Sequence, residues 1–222
     1  GSMPVLAHDL FFDSPLGPAV SALSPGTVLD VERLLIRSTR DVLGGSGWGM
    51  AVADGATCKV RQARITGART SAVLVTDPGS AMDAEDLLID NTLPAPSKNR
   101  GEGLYVSAGA RLELRGARIS ASHTVGLRAI GGNTRVIARG VIVDGTQPNA
   151  KSGNFGEGLY AADGAQIELY GFRSRGNHSA GVRISDPGSA LLARGLIVDG
   201  TLPQESDLAN GFGVLVQSGA KA

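Results

Sequence analysis

The sequence predicts an all-β solenoid, a parallel β-helix, and three observations carry that expectation. The chain repeats its own text at a fixed interval. Its apolar residues alternate with period two between glycine-bearing turns. Aligned turns then keep apolar residues in the same columns, as inward-facing positions of stacked strands must.

The repeat comes first. "GEGLYVSAGARLELRGARIS" from Gly101 returns 55 residues later as "GEGLYAADGAQIELYGFRSR" from Gly156. "GFGVL" from Gly211 and a looser "GWGMA" from Gly47 continue the series. Independent markers agree: "LLIDNTLP" from Leu87, "VIVDGTQP" from Val141 and "LIVDGTLP" from Leu196, with "DPGS" from Asp77 and again from Asp186. Val20, Met50, Val73, Leu104, Leu127, Leu159, Val182 and Val214 open one local pattern at intervals of 30, 23, 31, 23, 32, 23 and 32 residues. The unit is therefore two turns of chain, a short one of 23 residues and a long one of 30–32, giving about seven to eight rungs.

Each rung reads as three short strands. In one rung these are Leu104 to Val106, a turn around Gly109, Leu112 to Leu114, a bend at Gly116, and Ala117 to Ile119. Alternation with glycine punctuation is strand text and leaves no helical period of useful length. One inward column reads Leu29, Cys58, Met82, Leu112, Val136, Ile167, Leu191, and the next Val31, Val60, Ala84, Leu114, Ala138, Leu169, Ala193. Large residues alternate with alanine, as interdigitated packing in a narrow core requires. A third column, Leu34, Ala63, Leu87, Ala117, Val141, Phe172, Leu196, carries its bulkiest member where its partner column falls to Ser174, which predicts a volume exchange. Outward neighbours such as Asp30, Lys59 and Asp83, and Glu32, Arg61, Glu85 and Arg115, suit charge ladders on a solvated face.

Composition bounds the function. With 222 residues and 42% apolar content the chain can bury a core, while 21 basic side chains balance 21 acidic ones. That neutrality, with no basic run, argues against a nucleic-acid partner. No apolar run approaches the roughly 20 residues of a transmembrane helix, so no membrane insertion is expected of this segment. The single cysteine, Cys58, excludes an internal disulfide framework, and its inward position reads as a buried, inert thiol. Residues 1–3 read as a cloning remnant and 4–222 as a single β-helix segment, with two-rung repeats near 47–100, 101–155 and 156–210 and partial repeats at both ends. A segment excised from a longer solenoid is expected to expose strand edges and core at its ends, and so to self-associate end to end.

These repeats resemble the right-handed parallel β-helix repeat proteins of the pectin-lyase-like fold, over nearly the whole chain. "GNHSAGVRIS" from Gly176 is similar to the Asn-x-x-x-Gly-[Val/Ile] text of such rungs, although the matching turn has Ser122 where this one has Asn177. Many members are bacterial secreted or surface proteins, so the resemblance implies an extracellular or cell-surface location.

Function is sought where the repeat leaves freedom. The long turns carry "NTLPAPSKNRGE" from Asn91, "GTQPNAKSGNFGE" from Gly145, "GTLPQESDLANGF" from Gly200 and a glycine-rich version from Gly44. These loops are expected along one edge at about 9.6 Å spacing, twice the strand separation. Beside them the outward column of the first strands reads Ala51, Leu74, Tyr105, Arg128, Tyr160, Arg183, Leu215. Tyr105, Arg128, Tyr160 and Arg183, flanked by Glu102, Glu157, Trp48, Phe155 and Phe212, are the candidate ligand face, with rings for stacking and guanidinium groups for carboxylates. The plainer alternative is that Tyr and Arg stack on one another to cover the sheet.

Catalysis finds less support. A glycosidase needs two carboxylates about 5 to 9.5 Å apart across one sugar, and Glu102 and Glu157 stand two rungs apart. Asp90, Asp144 and Asp199 share a column, but Thr66, Ser120 and Arg175 alternate with them, so no shared cation site follows. His123 and His178 are repeat equivalents, too far apart for the bonds of about 2 Å that one metal needs. No catalytic residue, metal or cofactor is assigned. The expected function is a non-catalytic surface β-solenoid that acts as a spacer or presents stacked loops to a protein or polysaccharide partner. A carbohydrate-binding or lyase/glycosidase-like module using the Tyr/Arg face is the alternative, and a filament assembled through its ends the third reading.

Overall fold

Alternating text between glycine turns gives the backbone no helical solution, and the computed structural model is all β. It describes residues 4–41, 47–95 and 100–222, and among these it contains nineteen strands and no helix. Residues 1–3, part of the glycine-rich loop around Gly44, and residues 96–99 of the loop after Asn91 lie outside the described residues.

The strands form two sheets, and every ladder is parallel. In one sheet Val20–Ala22, Met50–Val52, Ser71–Val75, Glu102–Ser107, Val125–Ile130, Glu157–Ala162, Ala180–Ile184 and Phe212–Val216 lie side by side in chain order. The other runs from Val5–Asp13 through Val28–Arg37, Thr57–Thr66, Ala81–Asp90, Arg111–Ser120, Arg135–Arg139 and Gln166–Tyr170 to Ala190–Arg194. Ile142–Asp144, Arg173–Arg175 and Ile197–Asp199 extend its last rungs. Each sheet thus advances one strand per turn of chain, which is a parallel β-helix.

Register follows the predicted columns. Leu29 pairs with Cys58, Cys58 with Met82 and Met82 with Leu112. The column continues through Val136 and Ile167 to Leu191. Val20 pairs with Met50 and Met50 with Val73, so short and long turns alternate as the intervals require. Both sheets contribute to one apolar core, with Leu104, Leu112, Leu114, Ile119 and Leu127 fully buried. Phe172 and Ser174 are both buried. The Ser174 hydroxyl is satisfied there, donating to the Gly181 carbonyl at 2.8 Å and accepting from Asn177 Nδ2 at 2.8 Å.

The second and third strands differ from the expectation of separate segments. In the first five rungs they run as one strand of nine or ten residues through the bend. The bend is a single left-handed residue: Asp9, Arg33, Gln62 and Asp86, then Gly116, Gly140, Gly171 and Gly195, with φ between 52° and 67°. In the first five rungs this αL residue turns the chain without ending its hydrogen-bond ladder, whereas at Gly140, Gly171 and Gly195 the strand breaks at the corner. In the first two rungs the bend side chains pair with each other. Arg33 grips Asp9 one rung away through Nε to Oδ1 at 2.6 Å and Nη2 to Oδ2 at 2.8 Å. That hydrogen-bonded guanidinium holds the Asp9 carboxyl below its usual range.

In the column before the inward residue of each first strand, Gly49, Gly103, Gly126, Gly158 and Gly181 leave no room for a side chain, whereas Ala72 is accommodated in the same column. A Cβ on Gly103 would strike Ile119 Cγ2 and stand 2.6 Å from the Gly126 carbonyl oxygen; one on Gly158 would strike Ser174 Oγ and stand 2.6 Å from the Gly181 oxygen. The glycine of the repeated "GLY" is therefore set by close approach of backbone to core.

Candidate functional site

The repeated Gly-Glu-Gly-Leu-Tyr text sits at the corner where each long turn enters its first strand. In this text the glutamate opens the strand, the leucine points into the core and the tyrosine outward. Register stacks Tyr105 on Arg128, Arg128 on Tyr160 and Tyr160 on Arg183. The four candidate residues thus form one ladder, flanked below by Leu74 and above by Leu215.

The ladder is internally engaged. Arg128 lies over the Tyr105 ring at 5.3 Å and the Tyr160 ring at 5.9 Å, and Arg183 over Tyr160 at 5.3 Å. Arg100 caps the Tyr105 end at 5.9 Å. Arg128 Nη1 donates to Glu102 Oε1 at 3.1 Å, and Arg183 Nη1 to Glu157 Oε1 at 3.2 Å. The side chains of Glu102 and Glu157 are 0% exposed, whereas those of Arg128 and Arg183 are 30% and 26% exposed. Each rung pair is therefore a clamp: a buried carboxylate holds a guanidinium that stacks on tyrosine. This is the mutual Tyr/Arg packing that the sequence offered as the plainer alternative.

Burial has electrostatic consequences. The Glu157 carboxyl is pushed up to about 6 by desolvation, which outweighs the opposing pull of Arg183 and Arg128. Partial burial also raises Tyr160. Glu157 Oε2, Arg128 Nε and Arg183 Nε are buried without a partner. Glu102 is better served, since Ser71 Oγ donates to its Oε2 at 3.1 Å. Ser71 was not legible as a functional position. Its role depends on lying in register with Glu102, one rung before it.

The remaining candidates are placed as follows. Trp48, half-buried, and Phe212, 44% exposed, occupy the glutamate position of the repeat in their own rungs. Phe155 is 40% exposed at the end of the loop that begins at Gly145. Glu102 and Glu157 share a column, but Val125 lies between them, and neither reaches solvent. A sugar therefore has no access to this carboxylate pair as it stands.

Elsewhere the polar columns serve their neighbours. Asp144, mostly buried, accepts from Arg118 at 2.7 Å and Arg175 at 3.2 Å, and Asp90 accepts from Ser120 at 3.0 Å. His123 and His178 each place Nδ1 near a backbone carbonyl, Thr92 at 3.0 Å and Pro203 at 2.9 Å, and both are half-buried rather than exposed. The described residues contain no group of three His, Cys, Asp or Glu side chains that could hold a metal ion. Burial pushes the Cys58 thiol up to about 12, far from a reactive thiolate. On the outer face Arg61 bridges Asp30 at 3.0 Å.

The loops have structure of their own. Asn149 Oδ1 accepts the backbone N–H groups of Lys151 and Ser152 at 3.0 and 3.1 Å, closing a turn. The next long loop joins it, Glu205 and Ser206 donating backbone N–H groups to the Gly153 carbonyl at 3.1 and 3.2 Å. The long turns from Gly145 and Gly200 therefore stack on each other as well as on the rungs.

No family model matches the chain, and no curated protein matches it. One solved structure, the TibC-catalyzed hyper-glycosylated TibA55-350 fragment, aligns with 98% of this chain and 99% of its own at 11% identity. Its TM-score of 0.14 is too low for that likeness to bear on fold or function.

Proposed function

We propose that this chain is a non-catalytic β-solenoid scaffold that holds a row of long-turn loops along one edge for a protein or polysaccharide partner. The observation that carries this reading is the pair of clamps. The side chains with the richest chemistry on the first-strand face are bound to each other, and the carboxylates among them are buried. Such an arrangement stiffens a surface, and it leaves variation to the loops beside it. Loop-to-loop hydrogen bonding at Gly153 supports a continuous edge rather than separate flaps. An extracellular or cell-surface setting belongs to the same proposal and rests on the β-helix resemblance alone.

The test uses an array of neutral and acidic glycans together with turnover assays on the same polymers. Three chains are compared: the wild type, a variant with residues 203–210 exchanged for a Gly/Ser sequence of equal length, and Tyr105→Ala/Tyr160→Ala. The expected result is no product release, with any binding abolished by the loop exchange and kept by the tyrosine variant. Product release that disappears in Glu157→Gln would overturn the reading. Binding that depends on the tyrosines and ignores the loop would transfer the function to the carbohydrate face.

A further inference from the structure

The third strands carry two outward columns. Pairing places Phe11, Leu35, Arg64, Leu88, Arg118, Ile142, Arg173 and Ile197 in one column, so arginine alternates with an apolar residue from the third rung on. The neighbouring column runs Asp13, Arg37, Thr66, Asp90, Ser120, Asp144, Arg175, Asp199. In the later repeats each arginine of the first column reaches the aspartate 26 residues ahead: Arg118 to Asp144 at 2.7 Å and Arg173 to Asp199 at 2.5 Å.

The first repeat breaks this rule twice. "LLIDNTLP", "VIVDGTQP" and "LIVDGTLP" all place aspartate fourth, whereas the corresponding "LLIRSTRD" from Leu34 places Arg37 there. A carboxylate of the repeat has become a guanidinium. Arg64, moreover, forms no ion pair with Asp90, whose Oδ1 takes the Ser120 hydroxyl instead. Arg37 has no ion-pair partner among the described residues either, and rests over the Phe11 ring at 5.6 Å. Both guanidinium groups line one open groove of about 250 Å³ with Leu35, Ser38 and Thr66. Asp13 and Asp90, the carboxylates nearest in register, flank the groove without lining it.

We propose that this groove at the root of the first long turn binds an oxyanion group, a carboxylate or a sulfate ester, carried by an acidic ligand. Two guanidinium groups supply planar, charge-assisted donors, the Ser38 and Thr66 hydroxyls supply neutral ones, and Leu35 offers an apolar floor. A second groove farther along the same edge is lined by Ser120, Asp144, Gln147 and Arg175, with Asp144 in the column position of Arg37. There Asp144 pairs with Arg175 and with the neighbouring Arg118, so the molecule contains its own control of neutralised guanidinium groups. Because guanidinium groups stay charged, binding is flat between about pH 5 and 9.

The experiment is an NMR titration of the whole chain with sodium acetate and, separately, sodium sulfate, at ionic strength held constant with chloride. Saturable shifts of the Arg37 and Arg64 Nε–H signals and of the Ser38 and Thr66 amides are expected, with Arg118 and Arg175 unmoved. The probe that saturates at lower concentration identifies a planar carboxylate or a tetrahedral ester. Arg37→Asp, which restores the acidic residue of the other repeats at an exposed position, should weaken binding at least about tenfold, as should Arg64→Gln. Circular dichroism confirms that both variants are folded. Shifts that stay linear in both titrations, or binding unchanged in the two folded variants, would overturn the proposal.

Discussion

The clamp at Glu102 and the clamp at Glu157 come from identical text, Gly-Glu-Gly-Leu-Tyr, and bury identical carboxylates. They differ in what lies one rung before. Glu102 is in register with Ser71, which donates to its second oxygen, whereas Glu157 is in register with Val125, and its second oxygen is left without a partner. Arg128 is held between two tyrosines and Arg183 stacks on one. In a solenoid the environment of a residue belongs to its neighbours in space, so a repeated motif produces unequal sites.

The largest effect should come from removing the guanidinium groups. Arg128→Ala and Arg183→Ala each strand a buried carboxylate, a loss of about 3 kcal/mol or more in urea unfolding at pH 7.5. Arg128→Ala should be the worse, because it also unstacks two rings. Equal losses would show that the donor Glu102 keeps in Ser71 offsets the second ring.

Next are the glycines beneath the clamps. Gly103→Ala and Gly158→Ala force a methyl group against a backbone carbonyl and a core side chain, costing about 1–3 kcal/mol each. A neutral result at either position would mean that the corner relaxes far more easily than its contacts indicate.

The pH dependence probes the Glu157 clamp more finely. Glu157 is raised from 4.5 to about 6, so the folded state binds its proton more tightly than the unfolded state. Its contribution is fully present below about pH 4.5 and is lost as pH rises through about 6, a change of roughly 2 kcal/mol. The stability of wild type relative to Glu157→Gln should therefore fall by about that amount between pH 4 and pH 7.5, measured by urea unfolding. A flat difference would show that Glu157 is better solvated than its burial implies.

The smallest effect exchanges the donors. Ser71→Ala should cost about 1–2 kcal/mol by leaving a buried oxygen of Glu102 short of a partner. Val125→Ser offers Glu157 the hydroxyl that Ser71 gives Glu102, and the Glu157 carboxyl carbon should then titrate at lower pH by NMR. An unshifted titration would mean that the hydroxyl does not reach Oε2.

Much of the fold was legible because each inward column repeats its own chemistry. Leu112, Val136 and Ile167 align from sequence as they do in space. The bend was less legible. Asp9, Arg33, Gln62 and Asp86 adopt a left-handed conformation that their residue types do not advertise, and only the later glycines signal it. The hydroxyls of Ser80, Thr134 and Ser189 also went unread. Each accepts the N–H of the turn glycine 25 residues earlier, Gly55, Gly109 and Gly164, at 2.9 to 3.0 Å. The signal lay in "DPGS" and "GGNT", where a hydroxyl ends the turn text.

The candidate site divides in the same way. Sequence alone determined which residues share a column, because period-two alternation and a fixed repeat leave one register that keeps apolar side chains inside. It therefore placed Tyr105, Arg128, Tyr160 and Arg183 in one ladder. Only the tertiary structure decided that Glu102 and Glu157 turn inward to hold that ladder, and that Ser71 completes one clamp while Val125 leaves the other incomplete. The physical reason is that column membership is a property of the chain, whereas desolvation and hydrogen-bond partners come from contacts across rungs 23 to 32 residues apart.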